Sequence, residues 1–489
     1  MIRVRSWVGT ERPPLDLIRL NPEHPAVVAI SSGAAGSGCE VGKSELGVRI
    51  RLHPTTFFMM KRRRKIAVLG ALSDLNPAYS IAGVVLDQIR MLVAEGETVV
   101  FITTSDFNCH DQLPAGVEVR TFPRKHGFNE HEIPLDEFQQ YAFEAGAILA
   151  SALCDITHCL THDVMFLRGF LWVCWALREA QPRVPHVKFF HWVHSGPSKP
   201  PANWQEYPLV GCYTPLPNSV YVYPNRWDVP RVAEMFHCPE ADVRTVYNTV
   251  DQAELFGYHP LSRKLLKDFN LLEADHVCVY PTRICDGKQP GKVVRLMAEI
   301  AKQGREVRLV FCNSWSNASS VKAEIASLKN LAESVGLSHI YFTSEVQWPK
   351  DEFDIELGVP KKVVTDLLNT ADLFVLPSVS ETASLVMLEA ALTKNLLVLN
   401  QDLMPMQEFM GQVMDDVGSG RAVMAQFGSV TRPVGGYLPD EDTWWRILAS
   451  KVISASDSDR AMCAYRYVRK HHNPHAVWCS QLGPLLASL

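Results

Sequence analysis

The stretch Ala371–Ala390, ADLFVLPSVSETASLVMLEA, decides the fold of the chain around it. Its apolar run Leu373–Leu376 has no helical period and predicts a buried strand. Pro377 and Ser378 end that run, since proline punctuates regular structure. A helix that begins near Ser384 follows. The stretch therefore predicts a strand, a short loop and a helix.

Two carboxylates, Glu381 and Glu389, lie on either side of the predicted helix start, with seven residues between them. The first turn of a helix carries unpaired backbone N–H groups and the positive end of the helix dipole. Such a terminus binds anions, and carboxylates beside it accept hydrogen bonds from sugar hydroxyls. The stretch therefore predicts a site for a diphosphate that carries a sugar.

The composition is that of a globular protein with more than one domain. The chain has 489 residues, of which 47% are hydrophobic and 21% charged, and a single core rarely serves so long a chain. The formal net charge of −5 argues against a general nucleic-acid binder. The twelve cysteines form no CxxC pair, which favours a reducing cytoplasm over zinc sites or disulfides. The longest apolar run, Val164–Leu177, contains Arg168 and predicts a buried helix.

Residues 1–59 differ from the rest of the chain in composition and periodicity. They are rich in Pro, Gly and Ser, and they contain no apolar segment of the kind that a secretory signal needs. GSGCEVGKS at 36–44 is close to a phosphate-binding loop, but its glycines are one residue too far apart. We expect a poorly structured extension, or a true start at Met59 or Met60.

After the basic run Lys61–Lys65, which indicates a solvated chain end, strands and helices alternate. The first unit has a strand at Ile66–Leu69, a helix that continues through Leu92 and a strand at Thr98–Thr103. Gly83 stands at the start of that helix, where it either lets a ligand approach the backbone or allows close packing. The later elements of this half are predicted at Phe138–Leu153, Asp155–His158, Val187–Phe190, Val220–Tyr223, Pro230–Phe236 and Val243–Tyr247.

A polar segment, HWVHSG at 191–196, follows the predicted strand Val187–Phe190. Open α/β sheets bind their ligands at the carboxyl ends of the strands. Two imidazoles at one strand end, those of His191 and His194, therefore indicate a functional site more strongly than a single histidine would.

The same alternation restarts after Leu261–Glu273 and produces a second half, so a boundary is expected near residues 255–270. Elements are predicted at Val277–Tyr280, Val293–Gln303, Val307–Phe311, Ser319–Val335, Ile340–Phe342, Val363–Asn369 and Leu396–Asn400. We therefore expect an α/β protein with two Rossmann-like, doubly wound domains that face each other across a cleft.

Two cations follow the first strand of the second half, in the polar loop that holds Arg283 and Lys288. The loop shares its edge of the sheet with Glu381 and Glu389. Fixed cations and N–H donors stabilise the charge that develops on a diphosphate leaving group without the help of a metal. The combination indicates transfer of a group from a diphosphate.

These motifs resemble the GT-B glycosyltransferases, and specifically the retaining nucleotide-sugar transferases of family 4. SETASLVMLEA at 380–390 is similar to the E-x7-E motif of that family, and PTRICDGK at 281–288 to its diphosphate-binding loop. Shorter likenesses are PHVKFFH at 185–191, VYNTVD at 246–251 and HHNPHAVWCSQLGPLL at 471–486. The resemblance covers about residues 61–489.

The resemblance implies a division of the chain after the N-terminal extension of residues 1–59. An acceptor domain at 60–262 precedes a nucleotide-sugar donor domain at 263–468. A C-terminal helix at 469–489 then crosses back to the first domain.

The resemblance also implies a role for each candidate residue. Arg283 and Lys288 hold the diphosphate, and Glu389 binds the ribose of the nucleotide. Glu381 binds hydroxyls of the donor sugar, while His191 contacts the sugar near its reacting carbon. The remaining donor-binding positions, which act through the backbone, are Gly83, Thr382, Ala383, Ser384, Leu385 and Val386.

The activity implied is retaining transfer of a sugar from a UDP-, GDP- or ADP-linked donor to an acceptor hydroxyl, with no metal and no other cofactor. The acceptor and a peripheral membrane contact stay open, and a cytoplasmic location is expected. The alternatives are an epimerase or phosphorylase of the same fold, or a non-catalytic protein that binds a nucleotide sugar. Acceptor-dependent release of the nucleotide would separate a transferase from all of these.

One segment departs from the family pattern, and one short sequence resembles a metal-binding motif. Thr382-Ala383-Ser384 stands where the family usually has Gly-Phe-Gly, which leaves the identity of the donor open. The DxD sequence at Asp457–Asp459 precedes a predicted helix, where Asp and Ser are good N-caps, so we expect a cap there and no metal site.

Overall fold

The computed structural model describes residues 64–76, 79–124, 134–165, 168–312, 319–355, 358–381, 384–409, 422–429 and 441–488. All of them belong to one compact unit, Arg62–Leu489. The predicted extension at 1–59, with its phosphate-loop-like sequence and its alternative start residues, lies outside the described residues. No helix in the described part combines the length and the apolarity that a membrane span requires.

The first domain is built on a parallel sheet of seven strands in the order β3-β2-β1-β4-β5-β6-β7. Its strands are β1 (Lys65–Leu69), β2 (Thr98–Thr104), β3 (Glu118–Phe122), β4 (His158–His162), β5 (Lys188–Trp192), β6 (Ser219–Tyr223) and β7 (Val243–Thr245). Its helices are α1 (Ser80–Ala94), α2 (Leu135–Ala152), α3 (Leu171–Ala180), α4 (Val210–Tyr213) and α5 (Val229–Met235).

Both faces of this sheet are covered by apolar side chains. On β1, Ala67 and Leu69 belong to the core that the sheet shares with α2 and α3. Ile66 and Val68 belong to the core on the opposite face, with α1. Burial on both faces is typical of parallel sheets, whose crossover helices lie on either side. The first domain is therefore doubly wound.

The second domain repeats this plan with six parallel strands in the order β10-β9-β8-β11-β12-β13. Its strands are β8 (His276–Tyr280), β9 (Val307–Phe311), β10 (Ile340–Phe342), β11 (Leu373–Leu376), β12 (Leu396–Asn400) and β13 (Ala422–Ala425). Its helices are α7 (Pro260–Asp268), α8 (Pro290–Lys302), α9 (Ser319–Val335), α10 (Lys361–Thr370), α11 (Leu385–Leu392) and α12 (Glu441–Ser458), after the short α6 (Gln252–Leu255). The predicted α/β class with two doubly wound domains is confirmed.

The C-terminal helices contact both domains. Helix α13 (Arg460–His471) is fixed to the second sheet by the buried ion pair of Arg469 with Asp372. The following helical segment starts with α14 (Pro474–Val477) and ends with α15 (Gly483–Ser488). Trp478 and Leu482 within it pack in the same core as Ile66 on β1. The C-terminal segment therefore connects the second domain to the first.

Most predicted elements agree with the structure, and the differences are few. The strand predicted at Asp155–His158 is wrong in position, because β4 is His158–His162. Helix α1 begins at Ser80, before Gly83 rather than after it. Strands β3 and β13 were not predicted, since β3 at Glu118–Phe122 is largely polar and only partly buried.

Candidate active site

The loop after β8 brings the two predicted cations to the carboxyl edge of the second sheet. Lys288 ends a short 3-10 turn, Asp286–Lys288. The hydroxyl of Tyr280, the last residue of β8, donates to the carbonyl of Lys288 at 2.6 Å, which fixes this turn to the strand end. Arg283 is exposed and makes no side-chain hydrogen bond or ion pair with the described residues. Its guanidinium is therefore available to an anion.

The loop after β11 is joined to this turn. The N–H of Val379 donates to the carbonyl of Gly287 at 3.0 Å. Asn400, at the end of β12, donates its side-chain amide to the carbonyl of Ser378 at 2.8 Å. Lys288 and Glu381 consequently meet in an ion pair, although 93 positions separate them in the sequence. The structure therefore brings together two of the residues that the sequence predicted for one site.

Helix α11 begins beside this pair. Ser384 is its N-cap, and its hydroxyl accepts the N–H of Met387 at 3.3 Å. The N–H groups of Leu385 and Val386, at the first two helical positions, have no acceptor within the helix. The helix start that the sequence predicts near Ser384 is therefore present, with unpaired N–H groups of the kind that can bind an anion. Thr382 and Ala383, also predicted to bind the donor, lie outside the described residues.

Glu389 lies on the second turn of α11 and has one oxygen without a partner. Its Oε1 pairs with Lys361 at the start of α10, a contact that the sequence did not predict. Its Oε2 is buried and has no hydrogen-bond partner among the described residues. Buried carboxylate oxygens are normally hydrogen-bonded, so this oxygen is open to the hydroxyl of a ligand.

Gly83 lies on the exposed side of α1, in the first domain. A Cβ atom at this position would meet no described atom within 4 Å. The alternative that Gly83 allows close packing between elements is therefore not supported. Its predicted contact with a donor stays a prediction.

His191 does not lie at the end of a strand. It is the fourth residue of β5, only 1% exposed, and its ring packs against Tyr221 and Phe189 in the core of the first domain. Its Nδ1 lies 2.8 Å from Oγ1 of Thr161. Burial, with a smaller contribution from the Arg178 charge, lowers the pKa of His191 to about 3. The structure therefore places this predicted sugar-contacting residue inside the core.

Three other side chains lie at the carboxyl ends of β4 and β5 in the first domain. His162 ends β4, Asp163 follows it, and His194 comes two residues after β5. Nδ1 of His162 lies 2.9 Å from Nε2 of His194, and Oδ1 of Asp163 accepts the N–H of His194 at 2.7 Å. The sequence predicts His191 and His194 at a strand end and, by family resemblance, the sugar contact at His191, whereas His162 and Asp163 were not predicted. The signal that could have found them is a polar pair directly after an apolar strand.

The helix cap predicted at the DxD sequence is present. Oδ1 of Asp459 accepts the N–H of Met462 at 3.0 Å and caps α13. No group of three or more metal-ligating side chains occurs in the part of the chain that the structure describes. The two carboxylates of this sequence are thus accounted for by the helix cap and by the ion pairs of Asp457 with Arg305 and Arg466.

Comparison with known proteins yields only distant structural likeness. No protein-family model and no curated protein sequence matches the chain. The chain is similar to a glycosyltransferase from Rickettsia africae ESF-5, with 12% identity over 87% of this chain and 97% of that one and a TM-score of 0.31. It is also similar to Anabaena HepE in complex with UDP and glucose, with 14% identity over 87% of this chain and 100% of that one and a TM-score of 0.34. For sucrose-phosphate synthase from Thermosynechococcus elongatus, the identity is 14% over 87% of this chain and 99% of that one, and the TM-score is 0.30.

Proposed function

We propose that this chain is a retaining glycosyltransferase that moves a sugar from a nucleotide-diphosphate sugar to an acceptor hydroxyl and needs no bound metal. The observation that carries the proposal is the meeting of Lys288, Glu381 and the start of α11 at one sheet edge. Cations and N–H donors at one point suit a diphosphate, and a carboxylate beside them suits the sugar attached to it.

Each donor-site residue takes one part of such a substrate. Arg283 and Lys288 bind the diphosphate, together with the free N–H groups of α11. Glu389 accepts the ribose hydroxyls through Oε2, the oxygen that Lys361 leaves open. Glu381 exchanges its contact with Lys288 for hydroxyls of the donor sugar, so that Lys288 turns to the phosphates.

We assign the histidine contact with the sugar to His194 and not to His191. The ring of His191 is enclosed by apolar side chains, and a substrate would have to enter the core to reach it. His194 is partly exposed and follows a strand end, where ligands bind in sheets of this type.

The chemistry of the proposed transfer needs charge stabilisation more than a protein nucleophile. As the bond from the sugar to the diphosphate breaks, negative charge grows on the phosphate oxygens. Arg283, Lys288 and the α11 dipole oppose that charge. The leaving phosphate takes the proton of the acceptor hydroxyl on the same face of the sugar, which retains the configuration at the reacting carbon. Glu381 positions the sugar.

Thermal-shift binding to UDP, GDP and ADP and to their sugars tests the donor site. A ligand at about 100 times its Kd adds about 2.7 kcal/mol to the free energy of unfolding, which is easily measured. We expect a shift with one nucleotide family, lost in Glu389→Ala and in Lys288→Ala. Lys302→Ala is the matched control, because Lys302 is an exposed lysine that pairs with Glu299 within α8.

Absence of a shift with every nucleotide would overturn the proposal. If binding occurs, nucleotide release is measured with and without pooled acceptors that include lipids, glycans, peptides and small polyols. Release that requires an acceptor supports transfer, whereas release without one indicates an epimerase or a phosphorylase, and no release indicates a binding protein. A product with the anomeric configuration of the donor, read by NMR, supports retention.

A cytoplasmic location belongs to the same proposal. None of the cysteines that the structure describes forms a disulfide, and nucleotide sugars of all three kinds are substrates that a cytoplasmic enzyme can reach. Fractionation of cells that express the chain tests this expectation, and it also tests the peripheral membrane contact that the sequence leaves open.

A further inference from the structure

A hydrogen-bonded chain of three side chains reaches the strand ends of the first domain. Nε2 of His162 lies 2.9 Å from Oε1 of Gln88 on α1. The other nitrogen of the same ring, Nδ1, lies 2.9 Å from Nε2 of His194. The two rings are parallel to within 6°, with centroids 5.2 Å apart. With nitrogens so much closer than centroids, the rings are joined edge to edge, as an in-plane N–H···N hydrogen bond requires.

This chain fixes the position of each proton. Oε1 of Gln88 only accepts, so Nε2 of His162 carries the hydrogen that it donates. His162 is buried, and burial together with the nearby His194 lowers its pKa well below the usual value, so the ring is neutral and its Nδ1 can only accept. Nε2 of His194 must then donate. Burial lowers the pKa of His194 to about 4, so at neutral pH its Nδ1 carries a lone pair.

Asp163 sets the position of His194 and presents a second acceptor. Its backbone has a φ of 53°, a left-handed conformation that few residues other than glycine adopt. Its Oδ1 accepts the N–H of His194, whereas Oδ2 is buried without a partner in the described part of the chain. A buried oxygen of this kind is normally satisfied, which points to a donor supplied by a ligand.

We propose that Gln88 and His162 hold His194 in the Nε2–H tautomer, so that its Nδ1, with Oδ2 of Asp163, accepts hydrogen bonds from hydroxyls of the substrate. Gln88 and His162 are positioning residues, since they act through His194. This inference rests on the proposed function, because only a substrate with several hydroxyl groups, such as a sugar, would use these hydrogen-bond acceptors of the first domain.

The tautomer is read directly by long-range 1H–15N NMR on the full chain labelled with 15N-histidine at pH 7.5. The His194 signals are assigned by their loss in His194→Asn. We expect the Nε2–H form in the unchanged chain and in Gln88→Glu, which keeps the acceptor. In Gln88→Leu and His162→Leu we expect a mixture with the Nδ1–H form. His158→Gln is the matched control, because His158 begins the same strand and contacts Leu486 instead.

An Nδ1–H tautomer in the unchanged chain, or the same tautomer in all variants, overturns the proposal. Turnover of the sugar nucleotide that gives the thermal shift is then measured in the unchanged chain and in the variants. We expect kcat to fall at least tenfold in His162→Leu and Asp163→Asn, with Kd for the free nucleotide unchanged and His158→Gln fully active. Unchanged kcat in both variants also overturns it. Failure of the proposed function would appear differently, as the lack of any nucleotide shift, while the NMR result on Gln88 and His162 would stand by itself.

Discussion

At the scale of single residues, two adjacent lysines at the start of α10 pair with carboxylates in different surroundings. Lys361 pairs with Glu389, whose side chain is 31% exposed. Lys362 pairs with Asp366 at 2.5 Å, and the side chain of Asp366 is only 2% exposed. Asp366 also accepts the N–H of His259 and the hydroxyl of Ser262, so it fixes α7 to α10. The first pair thus belongs to the candidate site, and the second holds the domain together.

The two lysines are therefore expected to affect different properties. Lys361→Met should change the free energy of unfolding by at most about 1 kcal/mol, because pairs of partly exposed charges contribute little. Lys362→Met should cost about 1.5–3 kcal/mol, because it removes a charged partner from a buried carboxylate. Urea denaturation of the two variants measures both. Equal losses of unfolding free energy in the two variants would mean that the burial of Asp366 does not strengthen its ion pair with Lys362.

At the scale of elements, α13 is fixed to the second sheet by a buried charge. The side chains of Arg469 and Asp372 are 1% and 0% exposed, and their atoms lie 2.9 Å apart. Arg469 also donates to the carbonyls of Thr370 and Ala274. Asp372 in turn accepts the N–H of Val277 at the start of the β8 region. One guanidinium thus connects the C-terminal helix with segments before β8 and β11.

Arg469→Met should lower the free energy of unfolding by about 3–5 kcal/mol, because Asp372 would remain buried without its cation. Lys470→Met is the matched control on the next residue. Its pair with Asp275 is about one-third exposed, so a loss within about 1 kcal/mol is expected. Adding Asp372→Asn to Arg469→Met should recover part of the loss. If the double variant has a lower free energy of unfolding than Arg469→Met alone, this account is contradicted.

At the scale of the whole molecule, buried neutral histidines make stability depend on pH. Burial lowers the pKa of His191 and of His276 to about 3 and that of His194 to about 4, and it lowers that of His162 well below its usual value. In the unfolded chain the same groups titrate near about 6.5. Below that pH the unfolded chain binds protons that the folded chain does not, so the free energy of unfolding falls as the pH falls. Asp163, whose pKa burial raises to about 6, acts in the opposite sense, as do Asp87 and Asp372, whose pKa burial also raises.

We expect constant stability between about pH 7 and pH 8 and a steady loss below about pH 6.5, by about 1.4 kcal/mol per pH unit for each buried histidine. Urea denaturation at pH 7.5, 6.5 and 5.5 measures the slope. His191→Gln should make the slope shallower by the share of one group. A stability that stays level down to pH 5 would show that these rings become protonated in the folded chain.

The sequence by itself determined the alternation of strands and helices, and it located the loops and the helix that carry the proposed donor-site residues of the second domain. Arg283, Lys288 and Glu381 lie in the loops that follow β8 and β11, and Glu389 lies on the second turn of α11. Local patterns reveal both loops and the helix. The apolar run Leu373–Leu376 and the polar residues after it specify a strand end without any knowledge of the neighbouring strands. Two doubly wound domains follow, because parallel strands need crossover helices on both faces.

Only the tertiary structure decided which histidine lies in the core. The strand at His191, KFFHW, is buried on both faces from its second residue onward. Its sequence therefore has no polar–apolar alternation that would show which face a side chain occupies or where the strand ends. A shift of one residue moves every side chain to the opposite face. The pairing of Lys288 with Glu381, of Lys361 with Glu389 and of Gln88 with His162 likewise joins distant segments. Such contacts depend on the order and register of the strands. Both are set when distant segments pack together, and the local sequence pattern does not specify them.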